Sequence, residues 1–192
     1  MDGSFDGIPR SLAQLRWALG EDKARYTRKR GALSFVVTYL KHPGFSYTVW
    51  MRLAGLLQRR RRRLLHGAAK VVLLYLRHRW HIAIPEHTKV GPGLKIVRWQ
   101  TIMVHHDSVI GSNVTLSPYT VLGYMNRGER EGSPVLGNGV TLLDGAKVIG
   151  AVHVGDGATI GYNSLATKDV APGAVLLGVP AKPLAEGEPA LI

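Results

Sequence analysis

The sequence predicts an α+β chain, with an N-terminal helical segment followed by a parallel β-helix of about five coils. Three observations carry that prediction. Basic charge collects in the first 80 residues, where 17 Lys or Arg face 4 acids, while residues 81–192 hold 8 against 9. Such asymmetry marks two segments with different surroundings. The first segment repeats its apolar residues in steps of three and four, as amphipathic helices do. Beyond Trp80 the apolar residues recur every six positions, a register that no α-helix keeps through so many Gly and Asn residues. The expected organisation is a basic helical region over 1–80, a coil domain over 81–184 and a tail over 185–192.

In the helical region, "SLAQLRWALGEDKARY" opens on a Ser11 cap. Gly31 and the pair Pro43–Gly44 divide the chain into further segments. "FSYTVWMRLAGLLQRRRRRLLHGAAKVVLLYLRHRW" alternates apolar and basic stripes. Its apolar sides are expected to pack on each other or on a partner subunit, with a membrane interface as the alternative. The five arginines at 59–63 read either as a solvated junction or as attraction to anionic lipid or an acidic polymer. No nucleic-acid module is evident.

A chain of 192 residues, 45% hydrophobic, suits one good-sized domain with an appendage. The absence of cysteine excludes a disulfide framework and a thiolate metal site. "MDGSFDGIPRSL" lacks the basic start and apolar core of a signal peptide, and runs such as "VVLLYL" (71–76) fall short of the roughly 20 residues of a membrane span. The expected location is cytoplasmic, with peripheral contact at the inner face of the membrane left open.

In the coil region the hexads run Ile84, Val90, Ile96, Ile102, then Ile110, Leu116, Leu122, then Leu136, Leu142, Val148, Val154, Ile160 and Ala166. Val140, Ala146, Val152, Ala158 and Ser164 follow the later members at four places. Each turn of a solenoid needs an inward aliphatic residue and a tight corner, and three hexads make one triangular coil. Two breaks interrupt the register. Ile102 to Ile110 contains two extra residues around His105–Asp107, and Leu122 to Leu136 contains eight, within "GYMNRGEREGSP". Insertions must leave a solenoid as outside loops, where binding sites are often built. The final "DVAPGAVLLGVPAKPLAEGEPALI" is expected to close the stack and end in a Pro-rich extension.

The stretch from "IGSNVTLSPYTVLG" to "GVPAKPL" resembles the hexapeptide-repeat acyltransferases, covering about residues 82–184. Within them it is most similar to the serine acetyltransferase-like group, including its exopolysaccharide O-acetyltransferase members. "RGEREGSP" and "GVPAK" are specific to that group, and "KHPGFSYTVWMRLA" (41–54) resembles its helical part. The resemblance implies a left-handed β-helix, a homotrimer or dimer of trimers, acetyl-CoA as donor and sites in clefts between subunits. No metal is expected, because a His-His-Asp set supplies too few ligands on its own.

Acyl transfer to a hydroxyl asks for a general base, best supplied near neutral pH by histidine, and for a donor to the developing oxyanion. Laying the family's motifs on this chain puts Arg98 at its first histidine and Ser133 at its second, with Val97 and Ala83 at its aspartates. Arginine stays protonated and is no base. His106 or His105 is the expected substitute, oriented by Asp107, with His106 preferred for that neighbour. Arg98, Trp99, Arg127, Arg130 and Ser133 are the expected acceptor contacts. The resemblance implies a donor track along Gly123, Tyr124, Gly145, Ala146, Gly161 and Tyr162, with Thr167 and Lys168 near the nucleotide phosphates. The favoured function is an acetyl-CoA-dependent O-acetyltransferase acting on a sugar, polysaccharide or small polar metabolite. A catalytically silent scaffold or regulatory subunit, and a serine or homoserine O-acetyltransferase, stay open.

Overall fold

The computed structural model describes residues 5–98 and 100–184. Four helices come first: α1 (Leu12–Ala24), α2 (Ala32–Lys41), α3 (Pro43–Arg59) and α4 (Arg63–Trp80). Their starts follow the sequence signals. The Ser11 side chain accepts the Gln14 N–H at 3.1 Å, as an N-cap should. Gly31 enters α2 at φ 96, and Pro43 fills the first turn of α3, where no N–H is needed.

Helix α3 is the inner one, burying Phe45, Tyr47, Met51, Ala54 and Leu56. The Tyr47 hydroxyl donates to the Ile84 carbonyl at 2.9 Å and accepts the Ile84 N–H at 3.1 Å, joining helix to coil. Burial pushes this phenol above its usual range. One turn on, Arg52 and Asp22 form an ion pair with side-chain exposures of 1% and 0%. Such burial requires every polar atom to be matched. Arg52 Nε and Nη2 donate to the carboxylate at 2.6 and 2.9 Å, and Nη1 and Nη2 donate to the Val90 and Gly91 carbonyls at 3.0 and 2.7 Å. Asp22 also accepts from the Gly93 and Leu94 N–H groups at 2.8 and 2.9 Å. α1, α3 and the first coil are thereby tied at one point, which the sequence reading had not foreseen.

The coils then stack. The first holds β1 (Ile82–Ala83), β2 (Lys89–Val90) and β3 (Lys95–Ile96), and the second β4 (Ile102–Val104), β5 (Val109–Ile110) and β6 (Thr115–Leu116). The third holds β7 (Val121–Gly123), β8 (Val135–Leu136) and β9 (Thr141–Leu142), and the fourth β10 (Lys147–Ile149), β11 (His153–Val154) and β12 (Thr159–Ile160). The fifth holds β13 (Leu165–Ala166), a bridge from Val170 to Val154, and β14 (Val175–Leu177). β15 (Lys182–Pro183) folds back antiparallel on β14 and closes the stack, while the expected extension at 185–192 lies outside the described residues. Strands pair in parallel with their counterparts one coil away, giving faces β1-β4-β7-β10-β13, β2-β5-β8-β11 and β3-β6-β9-β12-β14 of a left-handed β-helix.

Each of the hexad residues named above is at most 2% exposed, so the six-residue period is the period of the core. That core runs on without a break into Tyr47, Met51, Leu73 and Leu76 of the helices. The first hexad needs a correction. Ile82, not Ile84, pairs with Ile102, so the spacing from Ile82 to Val90 matches that from Ile102 to Ile110. The first coil therefore carries the same two-residue excess as the second. Within the single chain the helices bury one apolar side and leave another exposed. α4 turns Ala69, Leu73 and Leu76 inward, while its outer stripe of Leu64, Val71 and Tyr75 is exposed, as are Leu33, Val36, Val37 and Leu40 of α2.

Candidate active site

All the register breaks fall on one edge of the prism, the corner between its first and second faces. Successive coils place there residues 84–88, 105–108 and 124–134. A solenoid with parallel pairing stacks equivalent corners, so insertions far apart in sequence become neighbours. His105 sits just beyond β4, half-buried, with Nδ1 2.8 Å from the Ser133 hydroxyl at the end of the long loop. Its ring lies 4.1 Å from the His106 ring and 5.0 Å from that of Tyr124. His106 Nε2 is 3.2 Å from Asp107 Oδ2, and His105 Nδ1 is 3.9 Å from the same oxygen. From the coil below, the His87 ring comes within 5.5 Å of His106.

The long loop is held down rather than loose. Met125 and Gly132 exchange backbone hydrogen bonds at 3.0 Å, and Arg130 pairs with Asp169 at 2.6 Å. The His153 N–H and then Arg130 hold the Asp169 carboxyl below its ordinary value. Tyr124 donates to Glu131 at 3.0 Å, which raises its phenol. Beside the edge, a groove of about 610 Å³ runs between α4 and the first coil, lined by Lys70, Val71, Leu74, Arg77, Glu86 and His106 among others. Burial alone would raise the Glu86 carboxyl, but its own backbone N–H and Lys70, at 3.3 Å, pull it below its usual value.

The structure brings together His105, His106, Asp107, Ser133 and Tyr124. It leaves Arg98 apart, at the other end of β4, 73% exposed and 3.7 Å from Asp144. Arg127 is exposed on the loop, whereas Arg130 is already engaged by Asp169. The expectation for Trp99 lies outside the described residues.

The positions of the expected donor track differ in what their backbone leaves free. Gly145, Ala146 and Gly161 are buried, and their N–H groups are spent within the stack on Pro118, Leu143 and Leu176 carbonyls at 2.8–2.9 Å. They shape the corner and offer no donor. Gly123, Tyr124 and Tyr162 stay accessible, and Thr167 and Lys168 line a groove of about 360 Å³ with Lys182 at the last coil. His87 and Glu86 join the edge although sequence reasoning gave them no role. Counting the hexads from Ile82 would have exposed the excess that carries them.

No protein-family model matches the chain. The serine acetyltransferase of Helicobacter pylori strain J99 is 32% identical over 143 residues, covering 74% of this chain and 82% of the relative. A serine acetyltransferase of Neisseria gonorrhoeae, solved with serine, shares 25% identity at a TM-score of 0.75, over 91% of this chain and 71% of that one. A serine acetyltransferase solved in complex with CoA also has 25% identity and a TM-score of 0.75, over 90% and 71%. Fold and edge together define a hexapeptide-repeat acyltransferase. Within that class, the chain belongs to the serine acetyltransferase-like family.

Proposed function

We propose that the chain is an acetyl-CoA-dependent O-acetyltransferase in which His105 is the general base. The carrying observation is the 2.8 Å contact between His105 and Ser133, made where two register breaks meet on one edge. Ser133 stands at the family's second histidine by resemblance, and an imidazole in contact with it supports this reading. The base form is the tautomer in which Nδ1–H donates to Ser133 Oγ, giving up the longer 3.4 Å contact from the Asp107 N–H and leaving Nε2 its lone pair. It removes the acceptor hydroxyl's proton as the oxygen attacks the thioester carbonyl, and CoA leaves as the thiolate. The burial of His105 and its hydrogen bond favour it over the more exposed His106, whose pairing with Asp107 fits an auxiliary role. Thr167, Lys168 and Lys182 suit the nucleotide phosphates.

Serine is the acceptor that the relatives' names support. The sugar or polysaccharide acceptor expected from the sequence has no counterpart among the relatives named above. A trimer belongs to this reading, because an acceptor touching both Arg98 and His105 needs those corners on neighbouring copies. So does contact of α4 with an anionic surface, favoured by the absence of acids from that helix and the exposure of Leu64, Val71 and Tyr75. Co-sedimentation with anionic but not neutral vesicles is the expected result for that contact, and equal recovery with both would remove it. Among the described residues no helix is long and apolar enough to cross a membrane.

The test is thiol release from acetyl-CoA with L-serine, homoserine and simple sugars as acceptors. The chain has no cysteine, so the only thiol is the product's. Release that depends on a hydroxyl acceptor, and is greatest with serine, is expected. No acceptor-dependent release and no CoA binding by calorimetry would remove the proposal. A silent scaffold is the second reading, favoured by Arg98 at the family's first histidine, and CoA binding without turnover is its signature.

A further inference from the structure

We propose that His105, His106 and Asp107 form a site for a borderline divalent transition metal ion, Zn²⁺ or Ni²⁺, whose binding silences the base. The three side chains offer one ligand atom each, all within 4.8 Å of one another. Two of the separations are 3.2 and 3.9 Å. A point equidistant from all three is then no more than roughly 2.4 Å from each, against Zn–N and Zn–O bonds of about 2.0–2.2 Å. Movement of a few tenths of an ångström, by the exposed His106 and Asp107 side chains beside the half-buried His105, closes the site. Two imidazoles and a carboxylate suit Zn²⁺ or Ni²⁺ rather than Mg²⁺ or Ca²⁺, which prefer oxygen alone. Three protein ligands leave a fourth position open to water, and the His87 imidazole stands beside His106 on the same edge.

The consequence for catalysis rests on the function proposed above. A metal on His105 Nδ1 takes the place of the proton there and displaces the Ser133 hydrogen bond. The ring's proton must then sit on Nε2, the atom that otherwise accepts the substrate proton. Nothing is oxidised or transferred, and chelation restores the active tautomer. Ser133 thus acts in opposite senses, orienting the base while competing with the metal.

The test begins with the chelator-treated full chain titrated with Co²⁺, followed by its visible absorption, and with Zn²⁺ as competitor. One ion per chain is expected, with His106→Ala and Asp107→Asn each weakening binding by about tenfold or more, since each removes one of three ligands. Ser133→Ala should bind as tightly as the parent or more tightly. No saturable binding below about 1 mM, a dissociation constant worth only ~4 kcal/mol, overturns the site. Binding indifferent to both ligand substitutions does so equally. Thioester loss under chelator, then with added Zn²⁺, tests the consequence, and inhibition with the midpoint of the Zn²⁺ titration is expected. Undiminished turnover by metal-loaded protein overturns the silencing. A protein that binds metal but turns over no acceptor even with chelator refutes the proposed function and the silencing together, leaving only the metal site standing.

Discussion

Arg52→Met tests the joint between helices and coils. The guanidinium makes four hydrogen bonds, two to the Asp22 carboxylate and two to the Val90 and Gly91 carbonyls, in a place with almost no exposure. Methionine fills most of the volume but leaves the carboxylate buried with only the Gly93 and Leu94 N–H groups beside it. Breaking a buried pair from one side costs about 3–5 kcal/mol. At ~2–4 °C per kcal/mol for a chain of this size, the melting temperature should fall by about 6–20 °C. The double variant Asp22→Asn/Arg52→Met keeps an acceptor for the two N–H groups and removes the stranded charge. It should therefore recover about half the loss or more, a coupling that only contacting residues show. Differential scanning calorimetry on the four proteins gives the cycle. A fall under about 3 °C for Arg52→Met, or strict additivity in the double variant, would refute the reasoning.

The remaining predictions concern the edge and the stack. His105→Ala should lower kcat by about 10²–10⁴-fold, the usual worth of a general base, with CoA affinity unchanged by calorimetry. Ser133→Ala should cost about fivefold, as one net hydrogen bond of ~1 kcal/mol would, and retained full rates in both variants contradict the assignment. Glu86 has its carboxyl held below the ordinary value, so its contribution to stability is present above about pH 4.5 and is lost as pH falls through the lower folded-state value. A melting-temperature gap between the parent and Glu86→Gln should accordingly be seen at neutral pH and close in acid, and a gap that stays constant argues against it. Gly111→Ala places a methyl group 2.5 Å from the Gly137 carbonyl oxygen, a backbone atom that cannot step aside. A loss of about 1–3 kcal/mol in denaturant unfolding is expected from such overpacking, and an unchanged midpoint would show that the coils can spread.

The sequence alone determined the repeat. Inward side chains at every sixth position are a local property, set by the aliphatic residue and the corner that follows it, so Val90, Ile96, Leu142 and Ile160 declared the core before any coordinates. It also declared two insertions, because a missing register is as countable as a kept one. The third, at Pro85–His87, was hidden because Ile84 keeps the six-residue step to Val90 and is itself buried, while the true counterpart Ile82 stands eight places away. Only strand pairing chose between them.

What the tertiary structure decided was company. Whether His105 meets Ser133, 28 residues away, depends on parallel stacking that sets the loop of one coil over the corner of another. No local spacing encodes that distance. The Arg52–Asp22 pair is invisible for the same reason, since each looks like a solvated helix charge until α1, α3 and the first coil close around both. The expected donor track shows the same dependence on neighbours. The resemblance put Gly145, Ala146 and Gly161 along it, where neighbouring coils have taken the Gly145 and Gly161 N–H groups and the turn itself that of Ala146. Periodicity lives in the chain, while proximity across coils, and the competition for each hydrogen bond, exists only once the chain has wound upon itself.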